Sequence, residues 1–229
     1  MEEKIYTIPV NGAFSNTEHK CAFCKFNEDL EKEEVDLILG PSLMEPDVRT
    51  VTNKKGFCRK HYLQMLSGKN KLGLALMLES HLEQVKKNVD LKNFVLSKDP
   101  ASGAKKYTEE LLGSCYICSR TEDKFQKMVE TAVYLWGKSP EFREKAKSRE
   151  MYCMEHFLQF LNTASIRMSK KDYCEFLKII FDVQKKYIDK LSENVSWFCK
   201  KFDYRYNDEP WKDSKDSPEK TIEFLCGGN

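Results

Sequence analysis

The sequence has no long apolar run, although 41% of its 229 residues are hydrophobic. The longest clear run, Leu74 to Leu78, is far shorter than the roughly 18–20 residues that a membrane-spanning helix needs. The first residues include acidic side chains and no apolar segment, so we expect no secretory signal peptide. These absences predict a protein of the cytoplasm that does not enter the membrane.

An excess of charge of one sign is also missing. The 38 basic and 36 acidic residues are interspersed and leave a net charge of +2, which argues against a nucleic-acid partner. The sequence contains no phosphate-binding loop, no dinucleotide-binding glycines and no nucleophile elbow. We therefore expect a binding protein rather than an enzyme. An enzyme with a site between the two halves of the chain stays as an alternative.

Cysteine, by contrast, is abundant in a chain that we expect to remain in the cytoplasm, where disulfides are rare. Six of the nine cysteines and two of the four histidines form a motif, CxxC followed by CxxH, that occurs twice. The first copy consists of Cys21, Cys24, Cys58 and His61, and the second of Cys115, Cys118, Cys153 and His156. Equivalent residues lie 94 or 95 positions apart, so we interpret the chain as a tandem duplication.

The spacing within each motif suits a tetrahedral metal site. A CxxC turn directs two thiolates at one ion, and a CxxH pair on a helix places both side chains on one face. Three sulfurs and one nitrogen are a donor set that zinc favours. We predict two zinc ions, one per module. Four protein ligands leave no open coordination position, which indicates structural rather than catalytic metal.

Three alternatives to this assignment remain open. In the first, each site takes its ligands from different halves of the chain. In the second, the cysteines hold an iron–sulfur cluster or act as redox-active thiols, although ferredoxin-type spacing is absent. In the third, the eight residues bind no metal, although free thiols clustered in this way would invite oxidation.

Helical periodicity dominates both halves, and we predict an all-α fold. Each copy reads as CxxC, a helix, a loop, CxxH and a long helix, with the two long helices, 71–96 and 170–202, packed together. We expect a first module at 1–98, a linker at 99–106 and a second module with an aromatic tail at 107–229, forming one compact body. Residues 1–20 are expected to be irregular or weakly extended, because an Asn-Gly pair is typical of a turn.

Other polar residues are candidates for roles around or between the modules. Basic residues near the motifs, Arg120 and Arg149 among them, are expected either to offset the negative charge of a zinc ion with three thiolate ligands or to be solvated. A candidate surface for a protein or small-ligand partner consists of Arg49, His81, Arg143, Lys201, Asp203 and Arg205. The sequence does not predict the partner's identity or the oligomeric state.

Several stretches together carry a resemblance to an uncharacterised bacterial family of about this length, a domain of unknown function. They are Ile8-Pro9-Val10, Cys21-Ala-Phe-Cys24, Arg49-Thr-Val-Thr-Asn53, Gly56-Phe-Cys58-Arg-Lys-His61, Leu72-Gly-Leu-Ala-Leu-Met77, the second Cys/His motif and Lys201-Phe-Asp-Tyr-Arg205. The resemblance spans essentially the whole chain and brings no established activity. It implies a bacterial cytosolic protein whose hallmark is the set of cysteines and histidines. The second copy has Met151-Tyr152 where the first has Gly56-Phe57, so that turn is expected to differ in detail.

Overall fold

A computed structural model describes residues 5–90, 99 and 101–227 of the chain. All regular structure in these residues is helical, which confirms the all-α prediction. The α-helices are α1 (Thr7–Ser15), α2 (Ala22–Leu39), α3 (Pro46–Lys55), α4 (Arg59–Ser67), α5 (Lys71–Asn88), α6 (Ser102–Leu112), α7 (Tyr116–Lys138), α8 (Pro140–Lys147), α9 (Met154–Arg167), α10 (Lys170–Lys200) and α11 (Ser217–Cys226). Two short 3-10 turns, Tyr204–Tyr206 and Lys212–Ser214, lie between α10 and α11. No helix in the described ranges has the length and apolar character needed to cross a membrane.

The helices follow the same order after each CxxC pair. The second cysteine of each pair lies in the first turn of a long helix, α2 or α7. A shorter helix follows, α3 or α8, and each has a proline at its start, where the missing N–H has no intrahelical partner to lose. The third cysteine of each motif then precedes α4 or α9. This order is the one that a duplication requires, and the duplication itself stays a prediction.

The segment before the first CxxC pair is helical, not irregular as predicted. In α1, Val10, Ala13 and Phe14 are buried, and the helix packs on α8, where the ring of Phe14 lies 4.6 Å from that of Phe142. A Cβ atom at Gly12 would meet nothing within 4 Å, so the packing of α1 does not require a glycine at this position. Burial of the apolar face therefore outweighs the local turn preference of the Asn-Gly pair.

The two predicted long helices differ in how closely they match expectation. α10 covers Lys170–Lys200, close to the prediction of 170–202. α5 ends at Asn88, and the predicted continuation over 91–96 lies outside the described residues. Helix α6 begins at Ser102, inside the predicted linker, although Ser-Gly at this point is typical of a loop.

The chain forms two compact units, which divide it differently from the predicted modules. The terminal unit comprises residues 1–28 and 125–229, and the central unit comprises residues 29–124. Helix α2 begins in the terminal unit and ends in the central unit, and α7 runs from the central unit into the terminal unit. Of the predicted long helices, α10 belongs to the terminal unit and α5 to the central unit.

Aromatic side chains dominate the core of the terminal unit. Phe23 and Phe160 are fully buried, with ring centroids 4.9 Å apart, and Phe160 also packs on Phe176 of α10 at 4.8 Å. The aromatic tail is held on the body of this unit through α11, where Phe224 lies 5.5 Å from Tyr187 of α10. Large rings of this kind bury much apolar area, so they dominate the packing of this unit.

The core of the central unit is smaller and largely aliphatic. Its buried members come from α2, the loop before α4, α4, α5 and the segment around the second CxxC pair: Ile38, Leu39, Phe57, Met65, Leu74, Met77, Cys115, Tyr116 and Ile117. Two cysteine-bearing segments, around Phe57 and Tyr116, meet in this core, with their rings 6.2 Å apart.

Candidate metal centres

The eight predicted ligands come together in two clusters of four. The terminal cluster, named for its unit, consists of Cys21, Cys24, Cys153 and His156. The central cluster consists of Cys58, His61, Cys115 and Cys118. In each cluster the four potential ligand atoms lie within 4.8 Å of one another, so each could hold one metal ion.

The pairing differs from the leading prediction. The sequence led us to combine each CxxC pair with the CxxH pair of its own copy, and this pairing is wrong. Each CxxC pair instead meets the CxxH pair of the other copy, which is the pairing that the sequence left as an alternative. The predicted arrangement of one site per sequence module is corrected accordingly: one site lies in each compact unit.

Helix length explains the correction. Helix α2 begins inside its CxxC motif and has 18 residues, so it carries the chain about 27 Å from these cysteines. Helix α3, with 10 residues, spans only about 15 Å. It is therefore too short to bring the chain back along the whole length of α2 to the first CxxC pair. The second copy shows the same disparity, with 23 residues in α7 and 8 in α8.

In the terminal cluster the three sulfurs surround the Nδ1 atom of His156. Their Sγ atoms lie at 3.8 Å for Cys21, 3.4 Å for Cys24 and 3.1 Å for Cys153. The Sγ atoms of Cys24 and Cys153 are 3.6 Å apart. Cys21, Cys153 and His156 are buried, and Cys24 is partly buried.

The central cluster repeats this arrangement around Nδ1 of His61. The Sγ atoms lie at 3.2 Å for Cys58, 3.3 Å for Cys115 and 3.4 Å for Cys118. The Sγ atoms of Cys58 and Cys118 are 3.8 Å apart. His61 and Cys115 are buried, Cys58 is partly buried and Cys118 is exposed.

These separations match the edges of a zinc tetrahedron. Bond lengths of about 2.3 Å for Zn–S and about 2.0 Å for Zn–N give edges of about 3.8 Å between two sulfurs and about 3.5 Å between sulfur and nitrogen. The observed S–S separations are 3.6 and 3.8 Å, and the S–N separations range from 3.1 to 3.8 Å. The donor set and its spacing therefore fit one tetrahedral ion in each cluster.

The ionisation of the thiols supports the same conclusion. Burial opposes ionisation of Cys115, but hydrogen bonds from His61 and from the Cys118 backbone lower its pKa to about 6. Burial and the hydrogen bond to Cys115 raise the pKa of Cys118 to about 12. In the terminal cluster, hydrogen bonds from Cys153 and Cys24 outweigh burial and hold the pKa of Cys21 well below its usual range. For Cys153, the hydrogen bonds with Cys21 and Cys24 and its burial all raise the pKa. In each cluster, ionisation of one thiol thus disfavours ionisation of the next thiol. Three thiolates in one cluster therefore require a cation.

A buried arginine positions the first ligand of the terminal cluster. Arg149 is 8% exposed, and its guanidinium donates to the backbone carbonyls of Phe14, Asn16, His19 and Lys20. These carbonyls belong to the segment that leads directly into Cys21. The sequence had left two roles open for Arg149: to offset charge at the second motif, or to be a solvated basic residue. Its direct partners are carbonyl oxygens, so its role is to fix the shape of the segment before Cys21.

A buried glutamine positions the third ligand of the same cluster. Gln184 of α10 accepts from the backbone N–H of Tyr152 at 2.9 Å and donates to the carbonyl of Tyr152 at 2.8 Å. The hydroxyl of Tyr152 donates to the carbonyl of Ala146 at 2.7 Å. These bonds hold in place the residue that precedes Cys153. Sequence reasoning missed this role, since a glutamine on a helix carries no local signal for it.

A glycine turn performs the corresponding task in the central cluster. Gly56 has φ +59°, in the left-handed region, and a Cβ atom there would lie 2.8 Å from Nε2 of His81. Its carbonyl accepts from the backbone N–H of Tyr116 at 3.0 Å, and the hydroxyl of Ser114 donates to the carbonyl of Lys55 at 2.6 Å. These bonds tie the approach to Cys58 to the second CxxC segment. The turn before the third ligand therefore does differ between the copies, as expected.

The two histidines have different surroundings on the side away from the sulfurs. Nε2 of His61 makes no hydrogen bond within the described chain and lies 3.7 Å from a carboxylate oxygen of Glu31. His156 instead packs its ring against Phe125, with centroids 5.0 Å apart. Glu31 and Phe125 occupy equivalent positions, each ten residues after the first cysteine of its CxxC pair. A carboxylate behind a metal-bound histidine orients the ring and increases its basicity, so the two sites are chemically distinct.

Glu31 is itself tied to α4, which bears His61. Its carboxylate accepts from Lys60 at 2.7 Å and from Gln64 at 3.3 Å. Burial opposes ionisation of Glu31, but the neighbouring His61 ring and the hydrogen bonds from Lys60 and Gln64 lower its pKa to about 2. The residue is therefore ionised and held against α4.

The six residues of the predicted partner surface fall in both units. In the central unit, Arg49 donates to the carbonyl of Leu76 at 2.7 Å, and Nδ1 of His81 is 2.8 Å from the carbonyl oxygen of Asn53. In the terminal unit, Arg143 donates to the carbonyl of Trp136 at 2.7 Å and faces Glu175 at 3.3 Å. Arg49 and His81 therefore belong to the central unit, whereas Arg143 and Lys201 belong to the terminal unit.

The other three members of that surface lie near the start of the tail. Lys201 is buried and donates to the carbonyls of Tyr206, Asn207 and Glu209. Arg205 donates to Asp203 at 2.6 Å, and both belong to the segment around the first 3-10 turn. Lys201 therefore shapes the tail, whereas Asp203 and Arg205 present a charged pair near its beginning.

The remaining cysteines, Cys174, Cys199 and Cys226, are exposed and belong to neither cluster. This placement agrees with their lack of ligand spacing in the sequence.

A family model described as a family of unknown function, DUF6062, matches residues 1–229. The chain therefore belongs to this family, as the resemblance in its sequence motifs had indicated. No curated protein matches the chain, and no solved structure does.

Proposed function

We propose that this member of the DUF6062 family binds two zinc ions, one in each cluster, and that the ions stabilise a helical scaffold used for protein interaction or regulation in the cytoplasm. One observation carries the proposal. In each unit, a CxxC pair and a CxxH pair from distant parts of the chain come together, and the separations of their sulfur and nitrogen atoms match the edges of a tetrahedron. In the terminal cluster these two pairs are separated by 129 to 135 residues in sequence.

The proposed role of the metal is structural. Three sulfurs and one nitrogen fill a tetrahedral site, so no position is left for water or substrate. An ion in the terminal cluster would join the segment before α2 to the start of α9, and an ion in the central cluster would join α4 to the start of α7. By analogy with small zinc domains, each ion contributes to folding on the order of 10 kcal/mol.

Elemental analysis of the purified full chain, combined with its visible spectrum, tests this proposal. We expect two zinc ions per chain and a colourless protein. Iron with strong visible absorption would instead favour the iron–sulfur alternative. A chain that folds with neither metal would contradict the proposal. Complete chelation is expected to lower the thermal stability, and unchanged stability and helicity after chelation would count against a structural role.

The interaction role draws its support from the start of the tail. We define the tail turn as residues Phe202, Asp203, Tyr204 and Arg205. Phe202 is 74% exposed and Tyr204 is 83% exposed, and the charged pair of exposed Arg205 and partly buried Asp203 lies beside them. Aromatic residues and arginine are enriched in protein interfaces, so we propose that a protein partner binds the tail turn.

A pair of variants tests this surface separately from the metal. Replacing both Tyr204 and Arg205 by alanine is expected to abolish capture of the partner from an extract of the source organism, while the metal content stays at two ions. Tyr134→Ala, which removes another exposed aromatic side chain from the same unit, serves as the matched control and should leave capture unchanged. Equal capture by all three proteins would refute the assignment of the tail turn.

A further inference from the structure

The two clusters differ in their access to solvent. In the terminal cluster, Cys21 and Cys153 are 1% and 0% exposed. The start of the segment after α11 also covers this cluster, because a Cβ atom at Gly227 would lie 3.7 Å from Sγ of Cys153. In the central cluster, Cys118 is exposed and Cys58 is partly exposed. One side of the central cluster is therefore open to small solutes.

We propose that the central cluster is an oxidation-sensitive metal site, whereas the terminal cluster keeps its ion under the same conditions. Hydrogen peroxide reacts at Sγ of Cys118, a disulfide forms between Cys118 and Cys58, and the ion leaves. This inference rests on the proposed binding of metal by both clusters and goes beyond it, because it assigns them different roles.

The reaction balances as a two-electron oxidation. The Cys118 thiolate attacks one oxygen of hydrogen peroxide, which breaks the O–O bond, forms a sulfenic acid and releases hydroxide. The Cys58 thiolate then attacks that sulfur and displaces a second hydroxide. Two protons convert the two hydroxides into water. Peroxide is reduced, two thiolates are oxidised to a disulfide, and the ion loses two anionic ligands.

Geometry selects Cys58 as the second sulfur. Its Sγ lies 3.8 Å from Sγ of Cys118, so the two sulfurs need to approach by about 1.8 Å to reach disulfide bonding distance. Cys118 is exposed and Cys58 is partly exposed. Cys115, the other sulfur of the cluster, is only 8% exposed and sits in the core of the central unit.

The experiment uses the full chain carrying its two metal ions. Hydrogen peroxide is added in increasing amounts, the released zinc is measured with a coloured chelator, and the oxidised cysteines are mapped by mass spectrometry after alkylation. We expect one ion per chain to be released at least ten times faster than the second. The fast phase should coincide with a disulfide between Cys58 and Cys118, and dithiothreitol with added zinc should restore two ions.

Two matched variants extend the test. Cys118→His keeps a metal-binding donor but removes the oxidisable sulfur, and is expected to abolish the fast phase. Cys24→His makes the equivalent change in the terminal cluster and should leave the fast phase intact. If Cys118→His fails to bind two ions, the map of oxidised cysteines in the unmodified protein shows whether the fast phase coincides with a disulfide between Cys58 and Cys118.

Several results would overturn the inference: release of both ions at one rate, earlier release from the terminal cluster, or a fast phase without modification of Cys118. If two ions are present but leave together, this inference fails and the proposed metal sites stand. If the purified protein contains no metal, the proposed function fails as well.

Discussion

Arg149 shows how a single charged side chain can determine the geometry of a metal site that it does not touch. Its guanidinium is buried and donates to the carbonyls of four residues between Phe14 and Lys20. Burial lowers the pKa of Arg149, yet arginine remains charged at any physiological pH. A planar group with five donors satisfies several carbonyls at once, and this keeps the segment before Cys21 in one shape.

Replacement of Arg149 is therefore expected to weaken the terminal unit. Arg149→Met leaves four carbonyls, one buried and three partly buried, without this donor, and should lower the free energy of unfolding by about 3 kcal/mol. Arg149→Lys keeps the charge but loses the planar fork, so it should cost less. Chemical denaturation of the metal-loaded proteins measures both effects. Equal stability of the methionine variant and the unmodified protein would refute the positioning role.

Glu34 offers a test of electrostatics away from the ligands. Its side chain is 1% exposed, accepts from Arg120 at 2.7 Å and forms an ion pair with Lys124 at 2.7 Å. Burial raises its pKa, but the hydrogen bonds from Arg120 and Lys124 outweigh burial and lower the pKa below the usual value. Glu33, its neighbour, is 59% exposed and lies 3.8 Å from Lys124.

We expect Glu34→Gln to lower the free energy of unfolding at neutral pH by about 2 kcal/mol. Because the pKa is depressed in the folded state, this stabilisation is present above the unfolded value of about 4.3 and is lost as the pH falls through the lower folded value. The gap between the variant and the unmodified protein should therefore narrow in acid. Glu33→Gln should change stability by less than about 0.5 kcal/mol, and a pH-independent gap for Glu34→Gln would contradict the argument.

At the scale of elements, two glycines differ in whether the backbone requires a glycine at that position. Gly12 lies inside α1 with open space at its Cβ position, whereas Gly56 has φ +59° and lies against His81. The first therefore weakens a helix without a steric need, and the second makes a turn that other residues rarely adopt. This contrast also explains why the sequence alone did not predict α1. A glycine that a turn requires and a glycine that a helix tolerates look the same in sequence.

A pair of alanine substitutions separates the two cases. Gly12→Ala is expected to stabilise the protein by about 0.5–1 kcal/mol through helix propensity. Gly56→Ala should destabilise it by about 1–3 kcal/mol, because the left-handed backbone is strained and the new methyl group meets His81. Thermal unfolding of both variants provides the measurement. The account of the turn fails if Gly56→Ala is neutral.

At the scale of the whole molecule, local patterns predicted more than long-range ones. The all-α fold and the eight ligands follow from helical periodicity and from the CxxC and CxxH spacings, both of which are local. The pairing of half-sites depends on where α2 and α7 begin and how far they carry the chain, which the sequence does not state. The roles of Arg149, Gln184 and Glu31 depend on contacts between residues 30 to 135 positions apart, and no local signal marks them.

Cross-copy pairing is the central claim, and the zinc content of two double variants tests it most directly. Cys21 and Cys153 belong to one cluster, so replacing both by serine should remove one ion and leave one zinc per chain. Cys21 and Cys58 belong to different clusters, so replacing both should remove both ions. Circular dichroism of each variant measures how much helical structure is lost together with its ions. The reverse result, no zinc in the first variant and one zinc in the second, would show that each copy binds its own ion and would contradict the account.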